Sequence, residues 1–162
     1  ESGLPIPMDL YETDFTNVLR KVINYYQLHQ KNHSFNLILP EEPYNSKITV
    51  DRHRINQVLE NLLSNAVKYS SEGGPVTLRG ELMPEGWLVS VEDDGIGMKP
   101  EQLSKVFDKF YRADADINKA DGLGIGMSIA KHIIEAHGGS IDVKSKSGKG
   151  TTVSFLLPYA AA

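Results

Sequence analysis

The chain has 162 residues, 40% hydrophobic and 23% charged, with a formal net charge of −4, which is the composition of a soluble globular protein large enough for one domain with a substantial core. The slight acidity and the lack of a basic block argue against a nucleic-acid partner, and the absence of cysteine excludes disulfides and thiolate metal centres and fits a reducing, cytoplasmic setting. No apolar run approaches the roughly 20 residues that span a bilayer and no signal peptide is visible, so no direct membrane contact by this segment is expected.

Residues 1–8, with Pro5 and Pro7, read as a linker, residues 9–158 as the folded domain, and residues 159–162 as a C-terminal tail. A start at Glu1 and a run of three alanines at the end give the chain the look of an excised piece. Asp14 or Thr16 is the candidate cap of a helix carrying Phe15, Val18, Leu19, Val22, Ile23 and Tyr26 and running to about Asn32. Phe35–Leu39 and Ile48–Val50 are short strand candidates around a proline-containing loop.

Asp51 then caps a long helix to Tyr69, in which Ile55, Val58, Leu59, Leu62, Leu63, Ala66 and Val67 recur at helical spacing. At 100° per residue Asn61, Asn65 and Lys68 form a narrow stripe beside that apolar face. Amide oxygens suit a hard cation such as Mg²⁺, and Lys suits the phosphates that accompany it. Taken alone, the stripe also fits the polar shoulder of an ordinary amphipathic helix.

Val76–Leu82 and Trp87–Asp93 alternate as strands joined by a Met83–Gly86 turn. Asp93 shares the face of Trp87, Val89 and Val91, so its carboxylate points in the buried direction, with Gly95 and Gly97 following to let the backbone approach a ligand closely. Such an acceptor suits a nucleobase amino group, or else a turn whose N–H groups it accepts. A short helix is predicted over Glu101–Phe107, then the aromatic segment Phe107–Arg112, in which Arg112 is a candidate phosphate fork. The polar stretch from Ala113 to Asp121 reads as a mobile lid.

Gly122, Leu123, Gly124, Ile125 and Gly126 open a helix predicted over Gly124–Gly138, with Met127, Ala130, Ile133, Ile134 and His137 on one side. Flexible backbone at a helix N-terminus is an anion site, although a G-x-G alone is weak evidence and no strand precedes it as in a dinucleotide fingerprint. Strands over Ser140–Lys144 and Thr151–Leu157 close the chain around Ser147–Gly150, a tight hairpin turn and not a Walker loop, because Gly150 stands where that loop needs Ser or Thr. Mixed helices and antiparallel hairpins predict an α+β sandwich, a mostly antiparallel sheet with helices on one face.

The segments Asn61–Tyr69, Asp93-x-Gly95-x-Gly97, Phe107–Arg112, Gly122–Ile129 and Gly148–Thr151 occur in the order of the N, G1, F, G2 and G3 boxes. The chain thereby resembles, from about Asp9 to Pro158, the ATP-binding catalytic domain of sensor histidine kinases, in the superfamily of type II topoisomerases and heat-shock chaperone ATPases. The resemblance implies a Bergerat-type sandwich that binds ATP with Mg²⁺ and donates the γ-phosphoryl group to a histidine in two-component signalling. It implies Asn65 as the magnesium-binding residue with Asn61 beside it, Lys68 and Arg112 on phosphate, and Tyr69, Phe107 and Thr151 at the nucleotide. Asp93 would take the adenine amino group, and the Gly122–Gly126 backbone would cradle the phosphates.

Two departures from the family pattern bear on chemistry. Hydrolytic members place a glutamate base where this chain has Asn61, and an amide cannot deprotonate water, which favours transfer over hydrolysis. Leu123 replaces the usual hydroxyl of the G2 box. None of the histidines at 29, 33, 53, 132 and 137 stands in a phosphoacceptor context, and the i, i+4 pair His29 and His33 lacks a third metal ligand. The implied partners are therefore a phosphoacceptor and dimerisation domain of the same parent, ending near Leu4–Met8, and a response regulator receiver domain. The parent would be a homodimer, anchored or not in the bacterial membrane, and this fragment a monomer. A nucleotide-sensing module without phosphotransfer and a serine kinase of the anti-sigma type are the alternatives.

Overall fold

The structure, a computed structural model, describes residues 7–107 and 123–160, with the backbone alone for 123–125. Its elements in chain order are β1 (Tyr11–Asp14), α1 (Phe15–His29), β2 (His33–Ile38), β3 (Lys47–Val50), α2 (Arg52–Tyr69), β4 (Gly74–Leu82), β5 (Gly86–Asp93), α3 (Pro100–Leu103), α4 (Leu123–Ala136), β6 (Ser140–Ser145) and β7 (Thr151–Pro158). Among these residues no helix is long and apolar enough to cross a membrane.

Asp14, not Thr16, caps α1: its carboxylate accepts from the Asn17 N–H at 3.3 Å, while Thr16 is buried with its hydroxyl 2.8 Å from that of Tyr44. The helix ends at His29, three residues short of expectation. Gln30 is extended, and His33 is taken into β2 by parallel pairing with Gly74 of β4. His29 and His33 therefore do not share a helix face. His29 Nδ1 meets the Tyr25 carbonyl and His33 Nε2 meets Ser70, which removes the i, i+4 metal pair.

Asp51 caps α2 as expected, accepting from the Arg54 N–H at 3.2 Å on one carboxylate oxygen and from the Asp9 N–H at 3.1 Å on the other. Its own N–H donates to Nε2 of His137 at 3.1 Å, and His137 Nδ1 is 2.9 Å from the Ile133 carbonyl, a neutral tautomer fixed at both ends inside the core. The end of α4 is thus tied to the start of α2. Gly138, at φ 84°, reverses the chain there, and Gly139 N–H reaches back to the Ile134 carbonyl.

The main sheet has the order β2-β4-β5-β7-β6, with β2 and β4 parallel and the other pairs antiparallel. Its register stacks Leu78, Val91, Val153 and Val143 in one row and Gly80, Val89, Phe155 and Ile141 in the next, and these pack beneath α1, α2 and α4. Trp87 is fully buried at the far end, edge-on to Phe15 at 5.2 Å.

β1 has no counterpart in the sequence reading. It pairs with β3 in a separate two-stranded sheet, and only Thr13 of its four residues is buried, so no alternation marks it. The helix expected over Glu101–Phe107 is shorter. Pro100 starts α3, but after Leu103 the bonds Lys105 N–H to Gln102 O and Val106 N–H to Leu103 O tighten the chain into turns.

Candidate functional site

One row of the sheet breaks the apolar pattern. Continuing the register past Leu78, Val91, Val153 and Val143, the next helix-facing positions are Val76, Asp93, Thr151 and Ser145. A cavity of about 90 Å³ opens at this polar row. Its walls are Leu62, Asn65, Ala66 and Tyr69 of α2, Val91 and Asp93 of β5, Ile96, Gly97 and Met98 of the next loop, Gln102, Met127 of α4, and Thr151 and Val153 of β7. The walls are mainly apolar, with a few convergent polar groups, as in small-molecule sites.

Asp93 is half-buried here. Its Oδ1 accepts from the Gly95 N–H at 2.7 Å in an Asx turn, the turn reading of this residue, while the residue also lines the cavity. Burial raises its pKa above the ordinary carboxylate value. The N–H groups of Gly95 and Thr151 oppose the rise, Asp94 adds to it, and His33 opposes it.

The two glycines after Asp93 have a reason within the fold itself, beside the one expected. A Cβ on Gly95 would lie 2.0 Å from the Tyr69 carbonyl oxygen, and one on Gly97, at φ 70°, would lie 1.9 Å from that of Lys146. Close approach is therefore required first by protein backbone. Ile96 is bonded on both sides, its N–H to the Tyr69 carbonyl at 3.1 Å and its carbonyl to the Gly148 N–H at 2.5 Å. The loop is wedged between the end of α2 and the β6–β7 turn, which is a tight hairpin as predicted.

The α2 stripe is present, and it divides in two. Asn65 and Tyr69 face the cavity, and the Asn65 Nδ2 is buried without a hydrogen-bond partner among the described residues. Asn61 lies outside the cavity walls, its Nδ2 donating to the Gly126 carbonyl at 3.3 Å and joining α2 to α4. Lys68 is half-buried on the same stripe. Phe107 packs against the core with the Lys131 ammonium 5.2 Å from its ring centroid.

Leu123, Gly124, Ile125 and Gly126 form the first turn of α4, so this glycine cluster is already helical one residue earlier than expected. Gly122, Arg112 and the expected lid over 113–121 lie outside the described residues. Ile96, Met98, Gln102 and Met127 were not singled out as site residues from sequence. Met127 carried the helical period of a core residue, Gln102 lies in the single turn of α3, too short to show a period, and Ile96 and Met98 sit in irregular backbone.

A mixed sheet covered on one face by helices, with a cavity between its polar row, α2 and the start of α4, defines an α+β sandwich with a small-molecule site. Residues 50–161 match the family described as histidine kinase-, DNA gyrase B- and HSP90-like ATPase, and the chain belongs to that family. It is 49% identical over 115 residues to the sensor histidine kinase WalK of Bacillus subtilis, covering 69% of this chain and 19% of that protein. It is 44% identical over 111 residues to the sensor protein SrrB of Staphylococcus aureus, covering 68% of this chain and 19% of that one. The chain thus corresponds to about a fifth of the length of these relatives. Among solved structures it is similar to full-length ShkA in complex with AMPPNP (TM-score 0.81, 28% identity, 98% of this chain and 33% of that one). It is likewise similar to the catalytic domain of the histidine kinase ThkA (TM-score 0.78, 28% identity, 94% and 97%). The fold expected from the sequence is the fold observed.

Proposed function

We propose that this domain binds Mg·ATP with the adenine in the cavity and donates the γ-phosphoryl group to a histidine on a separate dimerisation domain of the same parent, which then serves a response regulator. The observation that carries the reading is the polar row: Asp93, held by the Gly95 N–H, and Thr151 interrupt an otherwise apolar sheet face where this cavity opens. An acceptor there suits the exocyclic amino group of adenine, and Tyr69, Met98 and Met127 supply apolar surface for its ring. That ShkA was solved with AMPPNP supports a nucleotide at the corresponding place.

The residues present fit a magnesium ion carried by the nucleotide. The buried Asn65 amide has an unpartnered end, and a carboxamide can present its oxygen after a flip about its last torsion. Among the described residues no group of three or more His, Asp or Glu side chains could hold a metal, so phosphate and water would complete the shell, as magnesium prefers. When bound, the ion would neutralise phosphate charge. Lys68 and Arg112 would share that neutralisation, and the α4 N-terminus would present its first-turn N–H groups to the phosphates. Asn61 offers no carboxylate base, and its amide is engaged with Gly126, which supports transfer over hydrolysis.

The test is a labelled-ATP assay that mixes this domain with the parent's dimerisation domain. Acid-labile phosphohistidine is expected on the latter, and ATP binding without it would leave a sensing module in place of a kinase. In the same series Asn65→Ala should abolish Mg²⁺-dependent ATP binding with the fold retained. Unchanged Mg·ATP affinity would refute the metal placement.

A further inference from the structure

Ser145 is the last member of the polar row, one strand beyond Thr151, and it does not line the cavity. Its hydroxyl nevertheless has every bond it can make. Oγ accepts from the Met98 N–H at 2.8 Å, donates to the Gly150 carbonyl at 2.9 Å and lies 2.8 Å from the Thr151 Oγ1. A serine hydroxyl has one hydrogen and two lone pairs. The Gly150 carbonyl can only accept, so the one assignment that satisfies all three contacts of the hydroxyl gives it the single hydrogen. The Met98 N–H takes one lone pair. Thr151 must then donate its own hydrogen to the other.

The consequence falls on the cavity. A Thr151 hydroxyl that has turned its hydrogen toward Ser145 has only lone pairs to offer a ligand. It stands at the register position directly opposite Asp93, whose carboxylate is also an acceptor. On the sheet side, the cavity therefore presents two adjacent acceptors. We infer that Ser145 is a specificity-determining positioning residue, which fixes the Thr151 hydroxyl as an acceptor so that the pocket takes a purine with an amino group at position 6 and rejects one with a carbonyl there.

This rests on the reading of the cavity as the adenine site. Its chemistry is the mismatch of like groups: a carbonyl facing two acceptors leaves buried lone pairs unpaired, whereas an amino group satisfies them. With Ser145 removed, the Thr151 hydroxyl is free to rotate and donate, and this side of the cavity can adapt to either base. A purely structural role, through the bond to Met98, would instead weaken both nucleotides by the same factor.

The experiment is calorimetric titration of the whole chain with ADP and with inosine diphosphate, which differ at position 6 of the purine. In Ser145→Ala the preference for ADP should fall about tenfold relative to the unsubstituted chain, the scale of one hydrogen bond. Ser145→Thr, which keeps the hydroxyl, should restore it. An equal loss for both nucleotides, or an unchanged preference, overturns the inference. Should Ser145→Ala not fold by circular dichroism, Thr151→Val supplies the test. It removes the acceptor while leaving Ser145 bonded to Met98 and Gly150, and an undiminished preference there overturns the inference too. A chain that binds neither nucleotide fails the functional reading itself, whereas selective binding that persists in both variants refutes only the role of Ser145.

Discussion

At the scale of single residues, Asp93 carries opposed demands from folding and binding. Burial raises its pKa, against the pull of the Gly95 and Thr151 N–H groups, so the native state holds this proton to a higher pH than the unfolded chain does. Stability without ligand therefore falls as pH rises from the ordinary carboxylate value through the raised one. Asp93→Asn keeps an oxygen for the Gly95 N–H and removes the charge. We expect a higher Tm than the unsubstituted domain at pH 7, with the difference closing below the ordinary carboxylate pKa. ATP affinity should drop about ten- to a hundredfold, the range for a hydrogen bond to a charged group. Thermal melts across pH, paired with ATP titrations, check both. A less stable Asn variant at pH 7 would contradict the account.

At the scale of elements, legibility followed periodicity. The α2 helix was readable from Asp51 to Tyr69 because its apolar spacing and its cap agree, and β5 was readable because Trp87, Val89 and Val91 alternate into the core. Asp93 could be placed in the site by extending that alternation. Ser145 could not, because its place beside Thr151 depends on the pairing of β6 with β7, and no local pattern encodes what a strand faces across its neighbour. The β1 strand was missed for the same reason, being defined by a partner more than thirty residues away. The cap itself gives a test. Burial favours the neutral form of Asp51, but hydrogen bonds from the Asp9 and Arg54 N–H groups and the Arg54 guanidinium at 3.3 Å outweigh it and lower the pKa. Its stabilisation is therefore present above the ordinary carboxylate value and lost as pH falls through the depressed one. Asp51→Ala should cost about 1–2 kcal/mol at neutral pH, the usual scale of a helix N-cap, and the gap to the unsubstituted domain should narrow in acid. Denaturant melts at several pH values measure it, and a gap independent of pH would show that the charge contributes nothing.

At the scale of the whole molecule, α1, α2 and α4 share one apolar cluster over one sheet face, so a bond between helices reports on the stability of the entire domain. Tyr26 makes such a bond. It is buried on α1, and its hydroxyl donates to the Glu60 carbonyl of α2 at 3.3 Å. Burial first, then the charges of Glu60 and Tyr25, push its pKa from 10.0 to about 12. The unfolded chain loses this proton near 10.0 while the folded one retains it to about 12, so deprotonation favours unfolding and stability falls between those two values. Tyr26→Phe removes both the bond and the proton. It should cost about 1 kcal/mol at pH 7, the scale of a neutral hydrogen bond, and should flatten the decline across the alkaline interval. Trp87 is the chain's one tryptophan and is fully buried in the same cluster, so its fluorescence follows the unfolding directly. Parallel alkaline slopes for the two proteins would mean that the α1–α2 contact opens before the core does, in place of a single cooperative transition.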